Sequence, residues 1–324
     1  MPSENSGNFL DYVKSSGAGA SRLHESENNK QSIGTLSGDL LMIDESAAAR
    51  GSKGPPAGIG GGGETETEVV TDTYITGQGD GIDDSLQYNI EVRFVGDWPE
   101  DLKSVFIASA DYLASLVDGD IEDAVDGEGN LYDDLVIMAD LDAIDGEGGV
   151  LGQAGPTAIR SDTGLPALGE MTFDEADALA YHDAGQFDDI VLHEMMHVMG
   201  LGTLWDYYGL VSTVVDDNGT RRPTDDIVTS VYTGDAANSA YVGYFTEDDF
   251  LFVETDGGSG TAGGHWDEEE YQDELMTGYI GYVADDGSYD ATNYLSDWSV
   301  ASLEDLGYVL AEGAAGIENE IALA

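Results

Sequence analysis

The residues with the clearest chemical potential are two histidines and a glutamate in 193-HEMMHVMGLGTLW-205. On a helix, positions i and i+4 lie about 40° apart in azimuth and one turn apart in height. His193 and His197 therefore share a face and can both reach one zinc ion at about 2.0–2.1 Å. Glu194 is rotated by about 100°, beside a metal rather than on it. There a carboxylate can take a proton from an activated water and pass it to a leaving amine. That chemistry is hydrolysis. The bland alternative is a core-facing helix that happens to carry two histidines, a rare accident in a chain with only five.

A catalytic zinc takes three protein ligands, and this segment supplies two. His24 lies in a low-complexity leader, and His182 sits too near in sequence, where it reads as a surface or capping residue. Thr203 falls where a compact HExxHxxGxxH motif would place its last histidine, and a hydroxyl is a poor zinc ligand. That leaves His265, in 257-GGSGTAGGHWDEEE-270, where glycines allow close backbone approach and Trp266 can anchor the loop. Shortly after it, 274-ELMTGYI-280 offers Met276 before a glycine, a suitable floor beneath metal-binding histidines.

HEMMHVMG, an insertion of sixty-odd residues, GGHW and ELMTG together resemble the leishmanolysin family of metzincin metallopeptidases. GGVLGQAGP, GEMTFD and the closing LEDLGY also look like family segments, so the resemblance covers roughly Tyr88 to Leu310. It implies that His193, His197 and His265 bind one catalytic zinc, that Glu194 is the general base, and that Met276 forms the methionine turn. The implied fold is α+β: a twisted mixed sheet with an active-site helix, the methionine turn and a C-terminal helix. A protein or peptide substrate would lie extended along an edge strand, for which 149-GVLGQA-154 is the candidate, with Val150, Leu151 and Gly152 at its centre. Tyr279 is the candidate to assist an oxyanion. Kinetoplastid members carry many disulfides and an inhibitory prosegment cysteine. This chain has no cysteine, so any latency must be steric or use another ligand, such as His24 or an acid.

The elements that must position these groups are legible in outline. The stretch 88-YNIEVRFVG-96 alternates like a half-buried strand, and Pro99 opens a helix over 99–117. A buried strand is expected over 134–144 and a shorter, glycine-broken one over 148–160. After 169-GEMTFD-174 come helices over 174–182 and 187–200. From Leu201 to Gly264 the chain reads as a long insertion with some strand, such as 241-YVGYF-245. A last helix spans 296–308, with Ser296 as N-cap and Gly307 at its end. These readings divide the chain into a disordered leader or prosegment over 1–75, a catalytic domain over 76–312 with its insertion at 201–264, and a tail over 313–324. Within the leader, 40-LLMI-43 is an apolar patch able to dock on the domain.

Composition limits the alternatives. The chain has 66 Asp plus Glu against 10 Lys plus Arg, a formal net charge of −56 over 324 residues. Such a surface repels nucleic acid and anionic membranes and repels itself unless cations screen it. The expected settings are a salty milieu, a halophilic cytoplasm included, or a calcium-rich exterior. Without cysteine there is no disulfide, thiolate metal site or thiol nucleophile. No stretch is long and apolar enough for a membrane span, and the N-terminus lacks signal-peptide features. Secretion without an N-terminal signal is therefore the expectation. The acid-rich segment 117-VDGDIEDAVDGEGN-130 invites calcium, but it lacks the EF-hand glycine at the sixth position. Two rivals stand beside the peptidase reading. One is a HExxH hydrolase whose third ligand is a glutamate on a following helix; the other is an inactive, calcium-binding surface protein that keeps the fold.

Overall fold

The computed structural model describes residues 40–42, 69–146, 150–216, 227–243, 250–258, 260–279 and 293–317. Strands β1 (Leu40–Met42), β2 (Val70–Ile75) and β3 (Ile90–Val95) precede helix α1 (Glu100–Leu116). A hairpin of β4 (Ala124–Val125) and β5 (Leu131–Tyr132) leads into β6 (Leu135–Asp142), β7 (Gly152–Arg160) and β8 (Pro166–Asp174). Helices α2 (Glu175–Asp183) and α3 (Phe187–Val198) follow. Then come α4 (Trp205–Tyr208), β9 (Val211–Asp216), β10 (Ile227–Tyr232), α5 (Asp235–Val242), β11 (Phe252–Val253), α6 (Glu268–Tyr271) and α7 (Asp297–Leu306).

The architecture is α+β around a mixed sheet of order β1-β7-β8-β6-β3-β2. Strands β3, β6 and β8 run parallel, while β2 and β7 pair antiparallel with their neighbours. Parallel central strands are covered on both faces and so tend to be continuously apolar, which is why Leu135, Val136, Ile137 and Ala139 of β6 are all buried. Helix α1 turns Leu102, Val105, Phe106, Ala110 and Leu113 inward at helical spacing. Its Phe106 ring meets Phe94, Trp98 and Phe173 edge-on at 5.0–5.5 Å, and Phe187 at the start of α3 joins the same cluster. Through it α1 and α3 are fastened to one face of the sheet. A smaller cluster of Leu40, Ala124, Ala158 and Ala167 forms beside it. Helix α3 can lie close to the sheet because Gly169 of β8 has no Cβ; one would run into the Val198 side chain and the Gly155 carbonyl.

The expected strands and helices over 88–96, 99–117, 134–144, 174–182, 187–200 and 296–308 all have counterparts. Four boundaries differ. The sheet begins upstream of residue 76, for β2 is an edge strand paired with β3. Its Asp72 binds Lys103 of α1 at 2.8 Å and its Tyr74 donates to Asp111 at 2.7 Å. An edge strand with a polar outer face carries little hydrophobic signal, which is why it reads as leader. Leu40–Met42, the expected docking patch, is paired as β1 with Ala158–Arg160; His24 and the rest of 1–39 and 43–68 lie outside the described residues. In the middle, 166–174 is a full strand. The candidate strand 241–245 is instead the end of helix α5, whose Ala236 and Ala237 amides are capped by the Asp305 carboxylate from α7; residues 244–245 are outside the described set. At the C-terminal side, Ile317 exchanges backbone hydrogen bonds with Leu295, so the packed region extends past 312.

Candidate metal centre

Helix α3 is buried almost all round, and its last two turns carry His193, Glu194 and His197 at 5%, 8% and 6% exposure. The helix stops at Gly200, whose φ of 105° ends the right-handed path. Thr203 Oγ1 donates to the His197 carbonyl at 2.7 Å. Thr203 therefore stabilises the helix end, consistent with its weakness as a ligand.

His265 arrives 68 positions later and completes a triangle. Its Nε2 lies 3.1 Å from His197 Nε2 and 3.3 Å from His193 Nε2, and the two helical histidines are 2.9 Å apart at the same atoms. Each ring is oriented by a backbone carbonyl at its other nitrogen: Leu275 O for His193 (2.7 Å), Leu201 O for His197 (2.8 Å) and Thr261 O for His265 (3.0 Å). A carbonyl only accepts, so each Nδ1 carries the hydrogen and each Nε2 turns a lone pair toward the other two. Three facing lone pairs have nothing to bind among themselves. They suit a cation with tetrahedral preference, for which nitrogens at about 2.0–2.1 Å from zinc sit about 3.3 Å apart. Burial, and then the neighbouring imidazole, push all three rings down to about 3, so they stay neutral, as metal ligation requires.

Glu194 is not in that triangle. Burial pushes its carboxyl up to about 8. Its side chain lies against Gly152, where a Cβ would come within 3.2 Å of both Cγ and Oε1. The first residue of β7 thus abuts the glutamate. Of the expected edge-strand residues, Gly152 opens β7, while Val150 and Leu151 fall in the irregular approach to it. Strand β1 pairs only with Ala158–Arg160. Among the described residues, the outer edge of β7 from Gly152 to Thr157 is therefore unpaired. The loop before β7 is fixed from the other side, since Asp174 Oδ2 accepts from the amides of Ile144, Asp145 and Gly146 at 2.8–2.9 Å.

Met276 is fully buried, and its carbonyl accepts from the Trp266 amide at 3.0 Å, beside His265. Tyr279, by contrast, is a surface residue with 57% exposure. His182 lies in the last turn of α2, half-buried, and is not one of the three histidines that converge.

Two positions that hold the site together escape a reading of the sequence. Glu274 is wholly buried and accepts four hydrogen bonds, from Met276 N (2.5 Å), Ser296 N (3.1 Å), Ser296 Oγ (2.7 Å) and Ser299 Oγ (2.5 Å). Ser299 Oγ in turn accepts from Trp266 Nε1 at 2.7 Å. One carboxylate thus links the segment under the histidines, the residue after His265 and the start of α7. The only clue in the sequence is an acid beside an apolar run, with serines at helix-cap spacing twenty-odd residues later. The second position is Gly202, with φ of 73°; a Cβ there would overlap the carbonyl oxygen of Gly264, the residue before His265. Gly202→Ala should therefore push away the strand of chain that delivers the third histidine. The expected cost is at least the roughly 1–3 kcal/mol of a strained backbone, with loss of bound zinc. Gly209, also at positive φ but with open space around it, is the control: Gly209→Ala should lower the melting temperature without changing zinc content. Equal zinc retention in the two variants would show that the Gly202–Gly264 contact does not position His265.

Comparison with curated proteins finds no match. The family model of the leishmanolysin peptidases (Peptidase_M8) matches residues 118–315, a span that contains α3, the three histidines, Met276 and α7. With more than half of the chain matched, this protein belongs to the leishmanolysin family.

Proposed function

We propose that the protein is a zinc-dependent endopeptidase in which His193, His197 and His265 hold the metal and Glu194 is the general base. The observation that carries this reading is the convergence of three Nε2 atoms within 2.9–3.3 Å of one another, each ring locked from behind by a carbonyl. Zinc, when bound, supplies Lewis acidity at that point. The chain's own groups supply the rest. Glu194, next to the opening of β7, would take the proton of the attacking water and deliver it to the departing amine. The edge of β7 from Gly152 to Thr157, unpaired among the described residues, would offer backbone groups to an extended peptide, which would add to the sheet as a further strand. This is the role expected of 149–154, shifted so that Gly152 is its start. The buried Met276 segment, suspended from Glu274, serves as the methionine turn beneath the histidines.

Family membership supports the zinc peptidase class and, with it, a polypeptide substrate. The acidic surface also supports function outside the cell or in high salt. The decisive experiment is zinc analysis of the full chain combined with cleavage of a mixed peptide library, with and without a zinc chelator, in low and high salt. One zinc per chain, internal cleavage of peptides and loss of cleavage on chelation are expected. Cleavage that persists after zinc is removed would overturn the mechanism. Stoichiometric zinc with no cleavage of any library member would favour the inactive, binding-only alternative.

A further inference from the structure

A second group of ligating side chains lies at the opposite register of the sheet, where parallel strands β3 and β6 begin side by side with Ile90 opposite Leu135. Asp120, from the loop after α1, meets Asp133 and Asp134, which immediately precede β6. Each places one carboxylate oxygen within 4.8 Å of the other two. Asp84, from a 3-10 turn, and Asn89, immediately before β3, line a cavity of ≈160 Å³ together with Asp133.

Asn89 separates this group from an ordinary acidic surface. It is 3% exposed, its amide nitrogen donates to Thr76 O at 2.6 Å and its backbone N–H donates to Asp134 Oδ2 at 2.6 Å. Its Oδ1, an acceptor, has no hydrogen-bond partner among the described residues. A buried carbonyl oxygen left without a donor is destabilising, and here it belongs to a residue on a cavity wall shared with Asp84 and Asp133. The nearby cation, Arg160, does not fill the need. Its guanidinium is spent on the carbonyls of Glu122 (3.1 Å), Pro166 (2.7 Å) and Asp133 (2.5 Å). Burial, with neighbouring aspartates adding to it, pushes Asp133 and Asp134 up to about 7, the direction expected of acids crowded together with no cation between them.

We propose that Asp84, Asn89, Asp120, Asp133 and Asp134 form a binding site for one hard divalent cation of the calcium type. Calcium takes six to eight oxygens at about 2.3–2.6 Å, so ligands on opposite sides stand about 5 Å apart, and the observed spread fits within that. The ligands are all oxygens, which suit calcium better than the imidazole nitrogens of the histidine site do. Bound there, the cation ties the 3-10 turn and the loop after α1 to the starts of two central strands. The neighbouring turn at Asp126 differs in being local, whereas Asp134, whose two oxygens accept from Ile121 N and Asn89 N at 2.6 Å, joins separate segments. The Asp126 carboxylate is already satisfied by Glu128 N, Asn130 N and Asn130 Nδ2 at 2.8–2.9 Å, so that part of 117–130 is a self-contained loop.

Calorimetric titration with calcium chloride, on the zinc-loaded full chain in 0.5 M NaCl to suppress diffuse ion binding, tests this. One saturable site is expected. Asp120→Asn and Asp133→Asn should each weaken it at least tenfold, whereas Glu128→Gln, in the satisfied turn, should leave it unchanged. Thermal melts give an independent reading that survives any folding effect. Without calcium, Asp133→Asn should be at least as stable as the parent, because one repelling acid is gone; with millimolar calcium the order should reverse. No saturable site in the parent, or affinity unaltered in both aspartate variants, or calcium stabilisation no greater than that from NaCl of equal ionic strength, would overturn the proposal.

Discussion

Glu194→Gln is expected to retain a full complement of zinc and to lose about 10²–10⁴ in kcat, the usual contribution of a positioned general base. The amide matches the carboxylate in shape, so it should fit the same space against Gly152, where a Cβ would already approach within 3.2 Å. What it cannot do is accept and return a proton. KM should move little, because the β7 edge proposed to hold the substrate is untouched. The fold should lose nothing either: Glu194 is 8% exposed, and removing an ionisable group from such a place tends to stabilise. An unchanged or raised melting temperature with collapsed kcat is thus the signature of a catalytic role. Turnover near that of the parent would show that the proton is handled elsewhere.

His265→Ala should remove the metal. The loss of an outer partner of a metal ligand typically costs about 10–100-fold in affinity; loss of one of three ligands should exceed that, leaving substoichiometric zinc after dialysis and activity at background. The variant should still fold, because the neighbouring Trp266 keeps its hydrogen bond to Ser299 and its packing against Trp205 and Tyr232. Metal analysis and a thermal melt read these two effects separately. The rival with a glutamate ligand on a following helix predicts that zinc stays. The helix that follows, α4, spans Trp205–Tyr208 and carries no glutamate.

The histidines that converge were legible before the fold. HExxH on a helix is a local geometry, settled by 3.6 residues per turn, and the scarcity of histidines left His265 as the natural third partner. The helices around 100–116, 187–198 and 297–306 were equally legible, because their apolar spacing, caps and terminal glycines are local signals. Edge strands were not. Val70–Ile75 is polar on its outer face and owes its place to β3 and to Lys103, more than twenty residues downstream. The end of α5 reads as strand in isolation and becomes helix because Asp305 caps its first turn from another element.

Sequence alone therefore determined the kinds of atom available for catalysis and the spacing of two of the three histidines, since both depend on residue identity and helical period. Tertiary structure decided whether His265 crosses 68 positions to meet them, which backbone carbonyl locks each ring, and which glycine must make room for the other's backbone. It also decided that a glutamate near Met276 is a buried anchor and that Asp120, Asp133 and Asn89 share one corner of the sheet. Those outcomes rest on contacts between segments far apart in the chain. Their free energy comes from desolvation and packing on folding, which no local pattern of residues encodes.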